Sequence, residues 1–189
     1  MKKDIILCGV GGQGILSIAT IIGEAATKAN INLKQAEVHG MSQRGGDVQS
    51  NLRLSHDEIY SDLIPLGGAD VIISMEPMEA LRYLPYLAKD GVIVTSNKPF
   101  VNIPNYPEEQ ALFDELNALS NKVVMLDIEA VAKDAGSARS ANVVLLGMAA
   151  KYIEILSSEA LREAVATIFA RKGEAVVEAN LKAFDMGAR

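Results

Sequence analysis

The sequence predicts an α/β protein: a mostly parallel sheet with helices on both faces, interrupted by one antiparallel hairpin and followed by a helical C-terminal segment. Three observations predict it. Short apolar runs rich in β-branched residues alternate with stretches of helical period as far as Leu126. Residues 48–54 alternate apolar and polar side chains instead, and Ser55-His56-Asp57 separates them from Glu58-Ile59-Tyr60, which predicts a β-hairpin over 48–60. From Ile128 onward the period is helical throughout. A chain of 189 residues suffices for one well-buried domain, and no linker, repeat or low-complexity tract divides it, so residues 1–189 form a single domain.

The elements follow in order. The apolar run Ile5-Ile6-Leu7 is a strand that leads through a glycine turn into a helix over 15–29, where Ile15, Ile18, Ala19, Ile22 and Ala26 recur at helical spacing. Residues 33–38 are a second strand, completing a βαβ unit, and 48–60 the hairpin. After the turn at Gly67-Gly68, residues 70–74 are a buried strand, and Glu76-Pro77 opens a helix with proline at its first position that Pro85 ends or kinks. Asp90-Gly91 turns the chain into the strand 92–95. Three prolines keep 98–107 out of a regular helix and on the surface. A helix over 108–119 and the strand 123–126 complete the alternation. Four helices then end near Ala135, Leu156, Arg171-Lys172-Gly173 and Gly187. The stripes Leu161, Val165, Ile168 and Val177, Leu181, Phe184 predict packing on the domain's own sheet.

Composition excludes several functions. With 24 acidic and 18 basic residues the net charge is −6, and the cations are scattered, which argues against a nucleic-acid or anionic-membrane surface. No apolar run approaches the roughly 20 residues that span a bilayer, and Met1-Lys2-Lys3 runs straight into a strand rather than a signal core, so a cytoplasmic protein is expected. Cys8 is the only cysteine. It permits no internal disulfide and no iron–sulfur cluster, and at the end of an apolar strand it reads as a buried, inert thiol.

Two loops carry the candidate chemistry. Gly9-Val10-Gly11-Gly12-Gln13-Gly14 has the strand–turn–helix context of a phosphate loop, in which glycines allow close backbone approach and the first N–H groups of the helix are unpaired. The same glycines could equally serve only to turn the helix back onto its strand. His39-Gly40-Met41-Ser42-Gln43-Arg44-Gly45-Gly46-Asp47 sets a planar guanidinium beside exposed backbone N–H groups, which suits a carboxylate or phosphate, unless Arg44 pairs with Asp47 to hold the turn. His39 ends a strand beside that loop, but no triad or metal-ligand spacing surrounds it, and no catalytic residue or metal site is assigned. Glu37 lies at the spacing of a ribose-binding acid after Gly9-x-Gly11-x-x-Gly14, although the hairpin stands where a dinucleotide fold needs another βα unit. Gly46-Asp47-Val48 is not the Gly-Asp-Gly signature of a thiamine diphosphate site.

Taken together, Gly9-Val10-Gly11-Gly12-Gln13-Gly14, the stretch from His39 to Val48, Leu52-Arg53-Leu54-Ser55 and Glu76-Pro77-Met78-Glu79-Ala80-Leu81-Arg82 resemble the gamma-type subunits of 2-oxoacid:ferredoxin oxidoreductases over essentially the whole chain, closest to the indolepyruvate branch. The resemblance implies a three-layer α/β/α domain that binds no cofactor itself and works beside a large alpha subunit carrying thiamine diphosphate, magnesium and iron–sulfur clusters. It further implies CoA-dependent oxidative decarboxylation of aryl 2-oxoacids, with electrons passed to ferredoxin and no turnover by the isolated chain. The loop residues Gly9, Gly11, Gly12, Gln13, Gly14, His39, Ser42, Gln43, Arg44, Gly45 and Gly46 are then expected to face ligand or partner. The alternatives are a gamma subunit acting on pyruvate or 2-ketoisovalerate and, from another class, a stand-alone Rossmann-like nucleotide-binding module.

Overall fold

The computed structural model describes residues 1–39 and 45–189. Six strands, β1 (Lys2–Val10), β2 (Asn32–His39), β3 (Asp47–Ser55), β4 (Ala69–Ser74), β5 (Leu87–Ser96) and β6 (Lys122–Leu126), form one sheet in the order β2-β3-β1-β4-β5-β6. Five run in one direction. Only β3 runs against them, antiparallel to β1 on one side and to β2 on the other. The helices are α1 (Ile15–Lys28), α2 (Pro77–Arg82), α3 (Glu109–Ala118), α4 (Ile128–Ala135), α5 (Ala141–Ile153), α6 (Ser158–Phe169) and α7 (Glu174–Gly187). None of them is long and apolar enough to cross a membrane.

Strand alternation sorts the core into two parts. Ile5 and Leu7 of β1, Leu52 and Leu54 of β3, Val71 and Ile73 of β4 and Val94 of β5 face α1 and α5. Ile6, Cys8, Ile72 and Ile93 point the other way, toward Ala80 of α2, Tyr83 and Ile64. The first face carries most of the apolar burial. Its outer helices α6 and α7 pack on α1, α4 and α5 rather than on the sheet, so the stripes predicted to meet strands meet helices instead. Two glycines set that packing: a Cβ on Gly147 would run into the carbonyl of Phe184, and one on Gly187 into the carbonyl of Val144. Gly187, expected as a stop signal, is thus also the point where α7 touches α5.

The antiparallel insertion is present, but its strands are paired differently from the expectation. Residues 58–60 form no strand; β3 pairs with β2, and the connection is 40–46. Because β3 lies between them, β1 and β2 are parallel without being neighbours. The polar residues of the alternating run are not solvated: Gln49 and Asn51 are buried, and residues 56–66 cross over this face. Asn51 Oδ1 accepts from the N–H of Ile64 at 3.1 Å, and Arg53 donates to the carbonyls of Ser61 and Leu63 at 3.0 and 3.1 Å. Asp90-Gly91 is likewise no free turn. It sits in an irregularity within β5, where Ala69 pairs with Leu87 but Val71 pairs with Val92.

Candidate functional site

The glycine turn is a rigid corner. Gly12 and Gly14 take positive φ of 102° and 89°, which side chains with a Cβ disfavour, and Gly14 is the N-cap of α1. Gln13 folds back so that its Oε1 accepts the N–H of Val10 at 2.7 Å, while its own N–H donates to the carbonyl of Val10 at 3.1 Å. A Cβ on Gly14 would strike Asn142, whose Nδ2 donates to the Gly14 carbonyl at 3.1 Å. The start of α5 is thereby locked against the start of α1.

Neither helix has a side-chain cap, and the two helix starts lie at the same place, where the N–H of Ser17 donates to the Gly14 carbonyl at 3.1 Å. They open onto a cleft of about 570 Å³ at the carboxyl edge of the sheet, lined by Gly12–Gly14 and Ser17, by Arg139, Ser140 and Asn142, and by Lys172. Phe100, Phe169 and Met75 form its apolar walls, and Glu129 adds one acid. Lys172 lies over the Phe169 ring at 5.1 Å from its centroid. Two cations, two helix N-termini without side-chain caps and six hydroxyl or amide side chains, those of Gln13, Ser17, Ser137, Ser140, Asn142 and Asn180, against one carboxylate make a site for an anion with an apolar part. Arg139 and Lys172 escaped the sequence reading. Arg171-Lys172-Gly173 looked like an ordinary helix stop, and nothing local ties residue 172 to residue 12.

The second loop reaches the same edge. Val10 pairs with Asp47 and His39 with Val48, so β3 begins where β1 and β2 end, and the N–H of Gly11 donates to the carbonyl of Gly46 at 2.8 Å. Gly45 has a positive φ of 81°, and its carbonyl accepts from Asn102 Nδ2 at 2.8 Å. Ser42, Gln43 and Arg44 lie outside the described residues, and His39 is described only as the last backbone position of β2. Asp47, considered above as the partner of Arg44, accepts from the Tyr83 hydroxyl at 3.1 Å. Glu37 pairs with Ser50, which pairs with Leu7, so a whole strand separates it from the glycine turn's strand and the ribose contact of a dinucleotide fold is out of register, by about 10 Å at 4.8 Å per strand.

Behind the turn, on the face away from α1, lies a group of buried polar residues. Cys8 is fully buried and desolvation pushes its thiol up, so it is inert as a nucleophile, and one such thiol does not fit an iron–sulfur cluster. Glu76 is fully buried and Glu79 nearly so. Desolvation raises the Glu79 pKa, opposed by its hydrogen bond from Arg82. Desolvation also pushes up the Tyr83 and Tyr106 hydroxyls, reinforced by Asp47 and Glu76 respectively.

Comparison with known proteins gives consistent findings. The model of the pyruvate ferredoxin/flavodoxin oxidoreductase family matches residues 4–189. Indolepyruvate oxidoreductase subunit IorB of Pyrococcus horikoshii is 38% identical over 100% of this chain and 96% of its own. The gamma subunit of a keto/oxoacid ferredoxin oxidoreductase from Geobacter sulfurreducens superimposes with a TM-score of 0.71 at 27% identity, covering 98% of this chain and 96% of that one. The 2-oxoglutarate:ferredoxin oxidoreductase of Magnetococcus marinus, solved with 2-oxoglutarate, coenzyme A and succinyl-CoA bound, shares the fold with a TM-score of 0.75 at 23% identity, over 98% of this chain and 30% of that one.

Proposed function

The chain belongs to the pyruvate ferredoxin/flavodoxin oxidoreductase family, and on that premise we propose that it is the cofactor-free beta subunit of a cytoplasmic indolepyruvate:ferredoxin oxidoreductase. Its partner is a large alpha subunit that carries thiamine diphosphate, magnesium and iron–sulfur clusters and passes electrons to ferredoxin. Thiamine on that partner supplies the carbanion chemistry, and this chain supplies position and electrostatics. Subunits acting on pyruvate or 2-ketoisovalerate are the nearest alternative.

The observation that carries the reading of the site is the convergence of two uncapped helix N-termini with Arg139 and Lys172 on one cleft. The anion with an apolar part that suits it is coenzyme A, whose phosphates meet the cations and backbone N–H groups while Phe100 and Phe169 shield the remainder from water. Arg44, on the loop that returns to Gly46 at the same edge, is proposed to add a guanidinium. In the assembled complex, Arg139→Ala with Lys172→Ala raises the KM for coenzyme A about tenfold or more, the worth of one or two charge-assisted hydrogen bonds, and leaves the KM for indolepyruvate unchanged. A rise in the KM for indolepyruvate instead assigns the cleft to the oxoacid carboxylate. No change in either removes the cleft from the reaction. Arg44→Lys keeps the charge but loses the planar fork, so it lowers activity less than Arg44→Ala does.

A further inference from the structure

One motif remains without a role in this reading, the Glu76-Pro77 start of α2. Pro77 explains the helix start, but not why the N-cap is a glutamate with no solvent exposure. A carboxyl group buried this completely is tolerated only where its oxygens are hydrogen-bonded. Glu76 Oε2 accepts the N–H of Glu79 at 2.9 Å and so caps α2. Glu76 Oε1 does something else: it accepts the N–H of Phe100 at 3.3 Å and the hydroxyl of Tyr106. Both donors belong to the proline-containing segment 97–107, which has no strand or helix of its own to hold it.

That segment crosses the carboxyl edge between two parts of the site. Phe100 is a wall of the cleft, and Asn102 Nδ2 donates to the carbonyl of Gly45, at the base of the second loop. Asn102 Oδ1 is buried without a partner among the described residues, so the bond to Gly45 is what orients this side chain. We infer that Glu76 is a positioning residue, which fixes the strap 97–107 across the sheet edge so that the strap in turn holds Gly45 and sets the Phe100 wall. The consequence for ligand binding rests on the cleft reading above; the strap itself does not.

Hydrogen exchange on the full chain tests the linkage in order. Tyr106→Phe removes one donor and leaves Glu76 and the α2 cap in place, so it is the mild variant, and Asn102→Ala cuts only the link from strap to loop. Tyr106→Phe should speed exchange about tenfold in both 98–107 and 45–48, as expected for the loss of one hydrogen bond to a buried carboxyl, with the thermal midpoint within a few degrees of wild type. Asn102→Ala should speed exchange in 45–48 and leave 103–107 protected. If Tyr106→Phe loosens the strap alone or nothing at all, or if Asn102→Ala leaves 45–48 as in wild type, the inference is overturned. A kinetic arm separates the two proposals: when exchange responds as expected and the KM for coenzyme A in the complex does not rise, the cleft assignment fails and the positioning role stands.

Discussion

The same strands present two different chemistries on their two faces. Toward the helices, Ile5, Leu7, Leu52, Leu54 and Ile73 meet aliphatic side chains of α1 and α5, and backbone approaches at Gly147 and Gly187 set α7 against α5. One residue along each strand, the other face holds Asp4, Asn51, Arg53 and Ser74, all buried or nearly so and all hydrogen-bonded. The first face is held by area and shape, which are non-directional and tolerant of small shifts. The second combines a smaller apolar cluster around Ile6, Ile72 and Ile93 with bonds of fixed geometry, and those bonds are what place the segments 56–66 and 97–107. The helical face therefore supplies most of the stability, while the polar face decides where loops lie at the edge that holds the cleft.

The largest expected effects test the helical face. Gly147→Leu would drive a side chain into the Phe184 carbonyl, and no cooperative unfolding transition should remain in circular dichroism. Phe184→Ala empties a site that is 1% exposed and should cost about 3–5 kcal/mol in urea unfolding. A cost below 1 kcal/mol would mean that α7 repacks freely and that the face is not tightly packed.

On the polar face, the Arg53 Nε contacts Asp4 Oδ1 at 2.8 Å, with the Asp4 side chain 2% and the Arg53 side chain 17% exposed. Asp4→Asn should cost about 2–3 kcal/mol at neutral pH, less than a fully buried pair because Arg53 keeps water and two carbonyls. Its pH dependence has a definite sign. Burial pushes the Asp4 pKa up, but Arg53 and Lys2 outweigh burial and hold it below 3.8. Asp4 therefore contributes stability that is present above that value and lost as pH falls through the lower folded value, and Asp4→Asn should flatten this acid limb. Glu79 has the opposite sign. Burial raises its pKa above 4.5, so its favourable contribution is complete below that value and lost as pH rises through the folded value. Glu79→Gln should then gain on wild type as pH rises from about 4 to 8, within about 1 kcal/mol since Arg82 is 47% exposed and needs no buried partner. Urea midpoints from about pH 2 to 8 check both, the Asp4 limb below 3.8 and the Glu79 limb above 4.5, and equal slopes for the two variants would break the distinction.

The smallest effect lies outside both faces. Arg162 and Asp185 pair at 2.7 Å with 46% and 44% of their side chains exposed, and Asp185→Asn should cost less than about 1 kcal/mol, and less still in high salt.

Most of the elements were legible in the sequence, the strand expected at 58–60 and the turn expected at Asp90-Gly91 apart. The glycine corner, the proline-started α2, the helix stops near Ala135 and Gly173 and the period of each strand and helix follow from φ limits, caps and side-chain alternation, all of which act over a few residues. The family was legible as well, because its motifs are contiguous. The assembled fold settled which strand lies between β1 and β2, since backbone hydrogen bonds are the same for any neighbour and the choice depends on how the whole sheet is covered. It also decided that the polar residues of β3 are buried: Gln49, Asn51 and Arg53 alternate in the same way whether water or the 56–66 segment lies above them. The cleft was beyond local reading for the same reason. Gly12, Arg139 and Lys172 meet because two helix starts pack together at Gly14 and Asn142, and a contact across 128 positions leaves no period in the chain to read.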